Sequence, residues 1–286
     1  MEEVDVPTGA EAELDTEAVD VAAQQQLFMQ GLSRLDRVMD DSGFAFTSID
    51  VVDKALTTIE PIRNYPHLQF VNLANNQLSD VSPLADLTYL VGLNLSENTL
   101  TTPPAFANPY LQAIDLSHNQ LTTLDGLKSS SLSSVKISDN QIETLTGLSG
   151  MSSLVILDAS RNIVADLSSL SSETSKLERL ELNENKLTSL AGIEALTATL
   201  NALSVRQNNL DTMEAIDKLI QLEQLSELDL GLNPVTDTEN YRLEMILMLP
   251  HLRKLDGELI TDAERIAAVE LKAQREAAAA EAEQEE

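Results

Sequence analysis

Cysteine and tryptophan are both missing from this chain of 286 residues, which holds only five Phe and four Tyr. Without cysteine there is no disulfide framework, no thiolate metal ligand and no thiol nucleophile. Basic residues are scarce too: 18 Lys and Arg face 47 Asp and Glu, for a net charge of −29. A surface of that sign repels phosphate backbones, which argues against direct nucleic-acid binding. It favours proteins with basic or polar surfaces as partners. No apolar run reaches the ~20 residues that span a bilayer, so no membrane partner is expected. The stretch MEEVDVPTGAEAELDTEAVD (1–20) lacks the basic start and apolar core of a secretory signal, and an intracellular protein is expected. No P-loop, dinucleotide fingerprint or zinc spacing occurs. Asp115 and His118 are near neighbours, but no nucleophile motif accompanies them. The expectation is a non-enzyme with no catalytic residue, no metal and no cofactor.

What the chain has is a repeat. The pattern L-x-x-L-x-L-x-x-N-x-L recurs as LQFVNLANNQL (68–78), LVGLNLSENTL (90–100), LQAIDLSHNQL (111–121) and LSSVKISDNQI (132–142). LVILDASRNIV (154–164), LERLELNENKL (177–187), LNALSVRQNNL (200–210) and LSELDLGLNPV (225–235) continue it. Its asparagines are Asn76, Asn98, Asn119, Asn140, Asn162, Asn185, Asn208 and Asn233. A period of 20–30 residues in register announces a stacked solenoid, here an α/β one. The two apolar residues flanking one position before each Asn make a short strand with its apolar side inward. Stacking puts these strands in a parallel sheet on a concave wall. The Asn then serves buried backbone groups left unpaired where the chain turns, a structural column rather than a catalytic one. Apolar residues spaced by threes after the Asn, as in LSDVSPLADL (78–87), suit short 3₁₀ turns on the convex side. The longer insert with Met213, Ile216, Leu219 and Leu222 is expected to form a fuller helix.

A solenoid must cover both apolar ends. Residues 1–17 read as a disordered acidic tail. Residues 18–43 read as an N-terminal helix with Phe28, Leu32, Leu35 and Met39 on one face. FAFTSIDVVDKAL (44–56) aligns as a degenerate first repeat in which Lys54 replaces the Asn, so the solenoid spans 44–235. Thr236-x-x-Glu239 has the form of a capping box for a helix stopped by Pro250, and 236–257 reads as a C-terminal cap. A second such box, Thr261-x-x-Glu264, opens an Ala-rich acidic helical tail over 258–286, which either projects into solvent or lies along a partner.

Residues pointing out of the strands define the candidate partner-binding face. On it stand Phe70, Asn72, Asn94, Glu97, Asp115, His118, Lys136, Asp139, Asp158, Arg161, Arg179, Glu181, Glu184, Arg206 and Asp229. Small side chains and carboxylates dominate, with Phe70 as the main aromatic anchor.

Repeats of this length resemble the intracellular subclass of leucine-rich repeats typified by a protein phosphatase-1 regulatory subunit. The run NPVTDTENYRLEMILMLPHLRKLDG (233–257) resembles the C-terminal cap shared by that subunit, the spliceosomal A-prime protein and axonemal leucine-rich-repeat proteins. The likeness covers roughly residues 44–260 and implies a leucine-rich-repeat horseshoe with helical caps at both ends. The cap, its continuation GELITDAERIAAVELKAQRE (257–276), the repeat number and the acidic N-terminal extension are similar to the leucine-rich-repeat protein of ciliary radial spokes. That resemblance implies a scaffold subunit of the third radial spoke, in the axonemal cytoskeleton of a cilium or flagellum, contacting other spoke components. The coarser likeness implies a phosphatase regulator or a splicing scaffold instead.

Overall fold

The computed structural model describes residues 22–38, 43–105, 108–127, 129–148, 150–170 and 176–285. Each repeat contributes a three-residue strand: β3 (Phe70–Asn72), β4 (Gly92–Asn94), β5 (Ala113–Asp115), β6 (Ser134–Lys136), β7 (Ile156–Asp158), β8 (Arg179–Glu181), β9 (Ala202–Ser204) and β10 (Glu227–Asp229). β2 (Phe44–Asp50) precedes them as the strand of the degenerate repeat. All pair in parallel with equivalent residues in register, as in Val71↔Leu93 and Leu93↔Ile114. The result is a leucine-rich-repeat solenoid with one open sheet of 12 strands in sequence order. Inward residues such as Leu116 and Leu182 are fully buried and join one continuous core.

The asparagine column works through its amides. Asn140 Nδ2 donates to Ile137 O of its own turn (3.0 Å) and to Leu116 O of the previous repeat (3.1 Å). Its Oδ1 accepts the Leu121 amide at 2.9 Å. Asn98, Asn119, Asn162, Asn185 and Asn208 repeat the arrangement, and Asn233 accepts from both Leu210 and Asn208. The degenerate repeat needs no Asn of its own, because Asn76 accepts the amides of Lys54 (3.1 Å) and Leu56 (3.0 Å). These bonds hold an unusual backbone. The residue before each Asn, from Asn75 through Glu97, His118 and Asp139 to Leu232, is left-handed with φ between 53° and 59°. Such a φ costs a non-glycine residue about 1–2 kcal/mol, and the Asn bonds around it offset that cost.

The return segments include 3₁₀ turns over Glu60–Asn64, Ser82–Asp86, Thr146–Leu148 and Ile193–Leu196. Val81, Leu84 and Leu87 lie three apart and all face the core, which a helix of three residues per turn allows. The insert expected as a fuller helix is an eight-residue 3₁₀ helix, Glu214–Gln221. Its apolar residues Met213, Ile216, Leu219 and Leu222 also recur in threes, and an α-helix would have rotated them off the core.

The N-terminal expectation needs correction. Residues 1–17, 18–21 and Met39 lie outside the described residues. Helix α1 covers residues 22–31 and buries Phe28, but Leu32–Arg37 is a strand, β1, antiparallel to β2. The open edge of β2 offers unpaired backbone donors and acceptors, and pairing them outweighs the helical pattern of the sequence. Leu35, placed on the buried helix face by that pattern, is 61% exposed.

The first capping box is also corrected. Pro234 starts a 3₁₀ turn (Pro234–Asp237) in which the Thr236 hydroxyl donates to Asn233 O at 2.7 Å. The cap helix α2 therefore begins later, at Tyr241, and runs to Met248. Tyr241, Met245, Ile246 and Leu249 close the core. β11 (Lys254–Leu255) adds to β10 in parallel and turns through Asp256 (φ 50°) and Gly257 (φ 85°) into β12 (Glu258–Leu259). The second box forms: the Thr261 amide donates to Glu264 Oε2 (2.7 Å), and the Glu264 amide to Thr261 Oγ1 (3.3 Å). It opens α3 (Asp262–Glu285), whose start is docked rather than free. Arg265 donates to Pro250 O and Leu252 O, Arg242 pairs with Glu264 at 2.6 Å, and Arg275 pairs with Glu244 of α2.

Candidate interaction face

Three columns cross the open face of the sheet. The first runs Phe70, Gly92, Ala113, Ser134, Ile156, Arg179, Ala202, Glu227, each in register with the next. The middle column contains Asn72, Asn94, Asp115, Lys136, Asp158, Glu181 and Asp229. Its short Asx side chains have a local duty. Asp115, Asp158 and Asp229 each accept the amide two residues on (3.0, 3.0 and 2.9 Å), and Asn72 and Asn94 do likewise. These bonds end the strand as an Asx turn. Five residues read from the sequence as partner contacts thus have a side-chain oxygen engaged in the fold; the three Asp keep a second oxygen, whereas Asn72 and Asn94 keep only their amide NH2.

The third column, Glu97, His118, Asp139, Arg161 and Glu184, stands on the left-handed turn residues. Arg161 grips Asp139 with two bonds (2.5 and 2.6 Å), while His118 Nε2 lies 3.4 Å from the same carboxylate. The Arg161 hydrogen bonds, opposed in part by burial, hold Asp139 below the usual carboxylate range. His118 is thus paired with Asp139 of the next repeat rather than with Asp115. Further along, Arg179 lies 3.8 Å from both Glu181 and Glu227, and Arg206 lies 3.8 Å from Asp229. Burial, then the neighbouring Asp158, raises Glu181 above its ordinary value. A depression of about 190 Å³ over β8–β11 is lined by Arg179, Glu181, Glu227 and Asp229 together with Lys254. The C-terminal half of the face is therefore largely neutralised from within.

The N-terminal part differs. A trough of about 520 Å³ lies over β1–β6, floored by Gly92, Ala113 and Ser134. A Cβ on Gly92 would stand 3.1 Å from the Phe70 ring, so the glycine is what lets that ring lie against β4. The Arg34 guanidinium sits 5.2 Å from the Phe70 centroid, a cation–π contact. Register places Leu35 opposite Phe46 and Ser48 opposite Phe70, so Leu35, Phe44, Phe46 and Phe70 share the outward face. Along the lip where the strands begin, His67 stacks on Tyr89 (5.7 Å) and Tyr89 on Tyr110 (6.4 Å). Of these residues only Phe70 stands out in the repeat pattern as an outward ring. The available signal was the period-two spacing of Phe44 and Phe46, together with aromatic rings just before the first Leu in successive repeats.

Among the described residues no group of three His, Asp or Glu could hold a metal ion, and no helix is long and apolar enough to cross a membrane. Among the described residues no hydrogen bond joins a Ser or Thr hydroxyl to a His ring, and the one His on the face, His118, lies beside Asp139.

Two family models described as leucine-rich repeat match residues 153–283 and 107–127. Leucine-rich repeat-containing protein 23 of Bos taurus and of Homo sapiens is each 33% identical over 86 residues, 30% of this chain. The matched stretch spans 25% of the length of those relatives. Among solved structures, internalin C2 of Listeria monocytogenes is 28% identical with a TM-score of 0.50, covering 68% of this chain and 78% of that one. A leucine-rich-repeat protein of Leptospira interrogans, 23% identical, reaches a TM-score of 0.57 over 73% of this chain and 60% of its own. The latter likeness is one of fold.

Proposed function

Starting from a leucine-rich-repeat protein, which its repeats, family matches and fold make it, we propose a structural scaffold in the radial spoke of a ciliary or flagellar axoneme. The coarser part, a non-catalytic protein-interaction scaffold, is supported by the leucine-rich-repeat family matches and by the fold, which presents one open sheet face with side chains in repeated columns. The axonemal part is carried by the resemblance of 233–276 to the cap and continuation of the radial-spoke leucine-rich-repeat protein. The way α3 is tied to α2 through Glu264 and Arg275, and to the segment after α2 through Arg265, supports it, because that continuation then lies against the cap. The partners in this reading are other spoke proteins with basic or polar surfaces, within a large complex.

The test is expression of a tagged full chain in a flagellated cell, followed by detergent and then high-salt extraction. Signal along the axoneme that resists detergent is expected. A diffuse or nuclear signal would remove the axonemal reading and leave the scaffold intact.

A further inference from the structure

We infer that the aromatic lip over the first strands is the anchoring subsite of this scaffold, and that it takes a polypeptide segment in which aliphatic side chains alternate with Lys or Arg. The inference rests on the scaffold reading above and specifies where on the face a partner is held. In a chain with nine Phe and Tyr, five stand at the N-terminal end of the sheet: Phe44, Phe46 and Phe70 on its outward face, and Tyr89 and Tyr110 along the edge where the strands begin. Phe44 is 73% exposed and Leu35 61%, and no described element covers them. Large rigid rings beside a small-residue floor are what interface anchors are made of, because they bury area at little entropic cost.

The charge of the occupant follows from the opposite lip, where the strands end. Asp50, Asp53 and Glu97 are exposed there, with no ion-pair partner among the described residues; Asn72 Nδ2 donates to Asp50 at 3.2 Å, and the cations Arg34 and Lys136 line the trough beside Asp50 and Asp115. Across the C-terminal half, by contrast, Arg161, Arg179 and Arg206 already satisfy the neighbouring carboxylates. A segment lying in the trough meets the Phe70 ring and the carboxylates of Asp50 and Asp115, and one that extends past its rim reaches the remaining rings at the start of the strands and Asp53 and Glu97 at their end. Aliphatic groups bury against Leu35, Phe46 and Phe70, while cations reach the carboxylates. Arg34 over Phe70 shows that these ring faces also accept a guanidinium.

The experiment titrates the full chain into three labelled twelve-residue peptides, alternating Leu/Lys, Leu/Glu and Ser/Lys, and reads fluorescence anisotropy at two salt concentrations. Binding of the Leu/Lys peptide in preference to both others is expected. The double substitution Phe46→Ser with Phe70→Ser should weaken it about tenfold or more, a change of about 1.4 kcal/mol. Asp50→Asn with Glu97→Gln should weaken it and flatten its salt dependence. Leu232→Ser, at an exposed apolar residue in the C-terminal half, should leave it unchanged; circular dichroism verifies that each variant is folded. Equal binding of Ser/Lys or Leu/Glu, no binding at all, or equal loss with Leu232→Ser would overturn the proposal. So would concentration-dependent self-association abolished by the Phe46/Phe70 pair, which would make a second copy the occupant. An axonemal protein whose peptide binding ignores the lip variants would sink the lip alone, whereas a lip that binds in a protein absent from axonemes would sink the axonemal reading alone.

Discussion

Replacing Asn140 by Ala removes four bonds, but they are not of equal weight. Leu116 O keeps a donor in Asn119 Nδ2 (3.0 Å), Ile137 O keeps Asn162 Nδ2 (2.9 Å), and Ser138 O keeps the His118 amide (2.9 Å). The buried Leu121 amide loses Asn140 Oδ1, its acceptor, and has no replacement nearby. An orphaned buried donor costs about 1–3 kcal/mol, and three thinned carbonyls add less. The expected total is about 2–3 kcal/mol. At a urea slope of about 3 kcal/mol/M, the midpoint followed by circular dichroism should fall by about 1 M. Amide exchange at Leu121 should quicken on the order of a hundredfold, because opening there becomes easier. Asn140→Asp supplies the contrast: it retains the acceptor for Leu121 but aims a buried charge at three carbonyls. It should destabilise at least as much while sparing Leu121 relative to its neighbours. An Asn140→Ala protein with an unchanged midpoint and a still-protected Leu121 amide would refute the assignment of the column as backbone service.

Two further outcomes are expected. Gly192 and Gly150 both have positive φ (104° and 89°), but a Cβ at Gly192 would stand 2.4 Å from Leu167 O while one at Gly150 meets open space. Gly150→Ala should therefore cost only the backbone term of about 1–2 kcal/mol, and Gly192→Ala clearly more; equal melting temperatures would contradict this. Glu264 is held down to about 2, first by the Arg242 hydrogen bond and then by the Thr261 amide and hydroxyl. Its folded value lies below the ordinary 4.5, so the stabilisation is present above about pH 4.5 and is lost as pH falls toward 2. Carbon-detected NMR titration should show this, with Arg242→Met moving the Glu264 midpoint upward; an unmoved midpoint would deny the pair its role.

Much of the fold was legible because the repeat is self-checking. Eight asparagines in register predict eight equivalent turns, and each amide found its place. The failures fall where the repeat stops. Residues 32–37 carry a helical spacing yet form β1, since the edge of β2 supplies hydrogen bonds that a sequence pattern does not display. Thr236 and Glu239 have capping spacing, but Pro234 had already begun a tighter turn. On the candidate face the columns were readable, whereas their energetics were not. Asp115 and Asp158 spend an oxygen on the backbone, and Arg161 spends its charge on Asp139 of the preceding repeat, 22 residues away. The exposed rings of Phe44 and Phe46 are not marked in the sequence, because their outward direction depends on β2 pairing with β3.

The sequence alone determined the solenoid, its inward leucines, its asparagine ladder and its overall acidity, because each is a local property repeated at a fixed period. Tertiary structure decided how the ends are closed, which charges are already spent and which aromatic rings stand together. Those outcomes depend on groups well apart in the chain, from the 11 residues between Leu35 and Phe46 to a full repeat between Asp139 and Arg161, and only folding brings them within reach of one another.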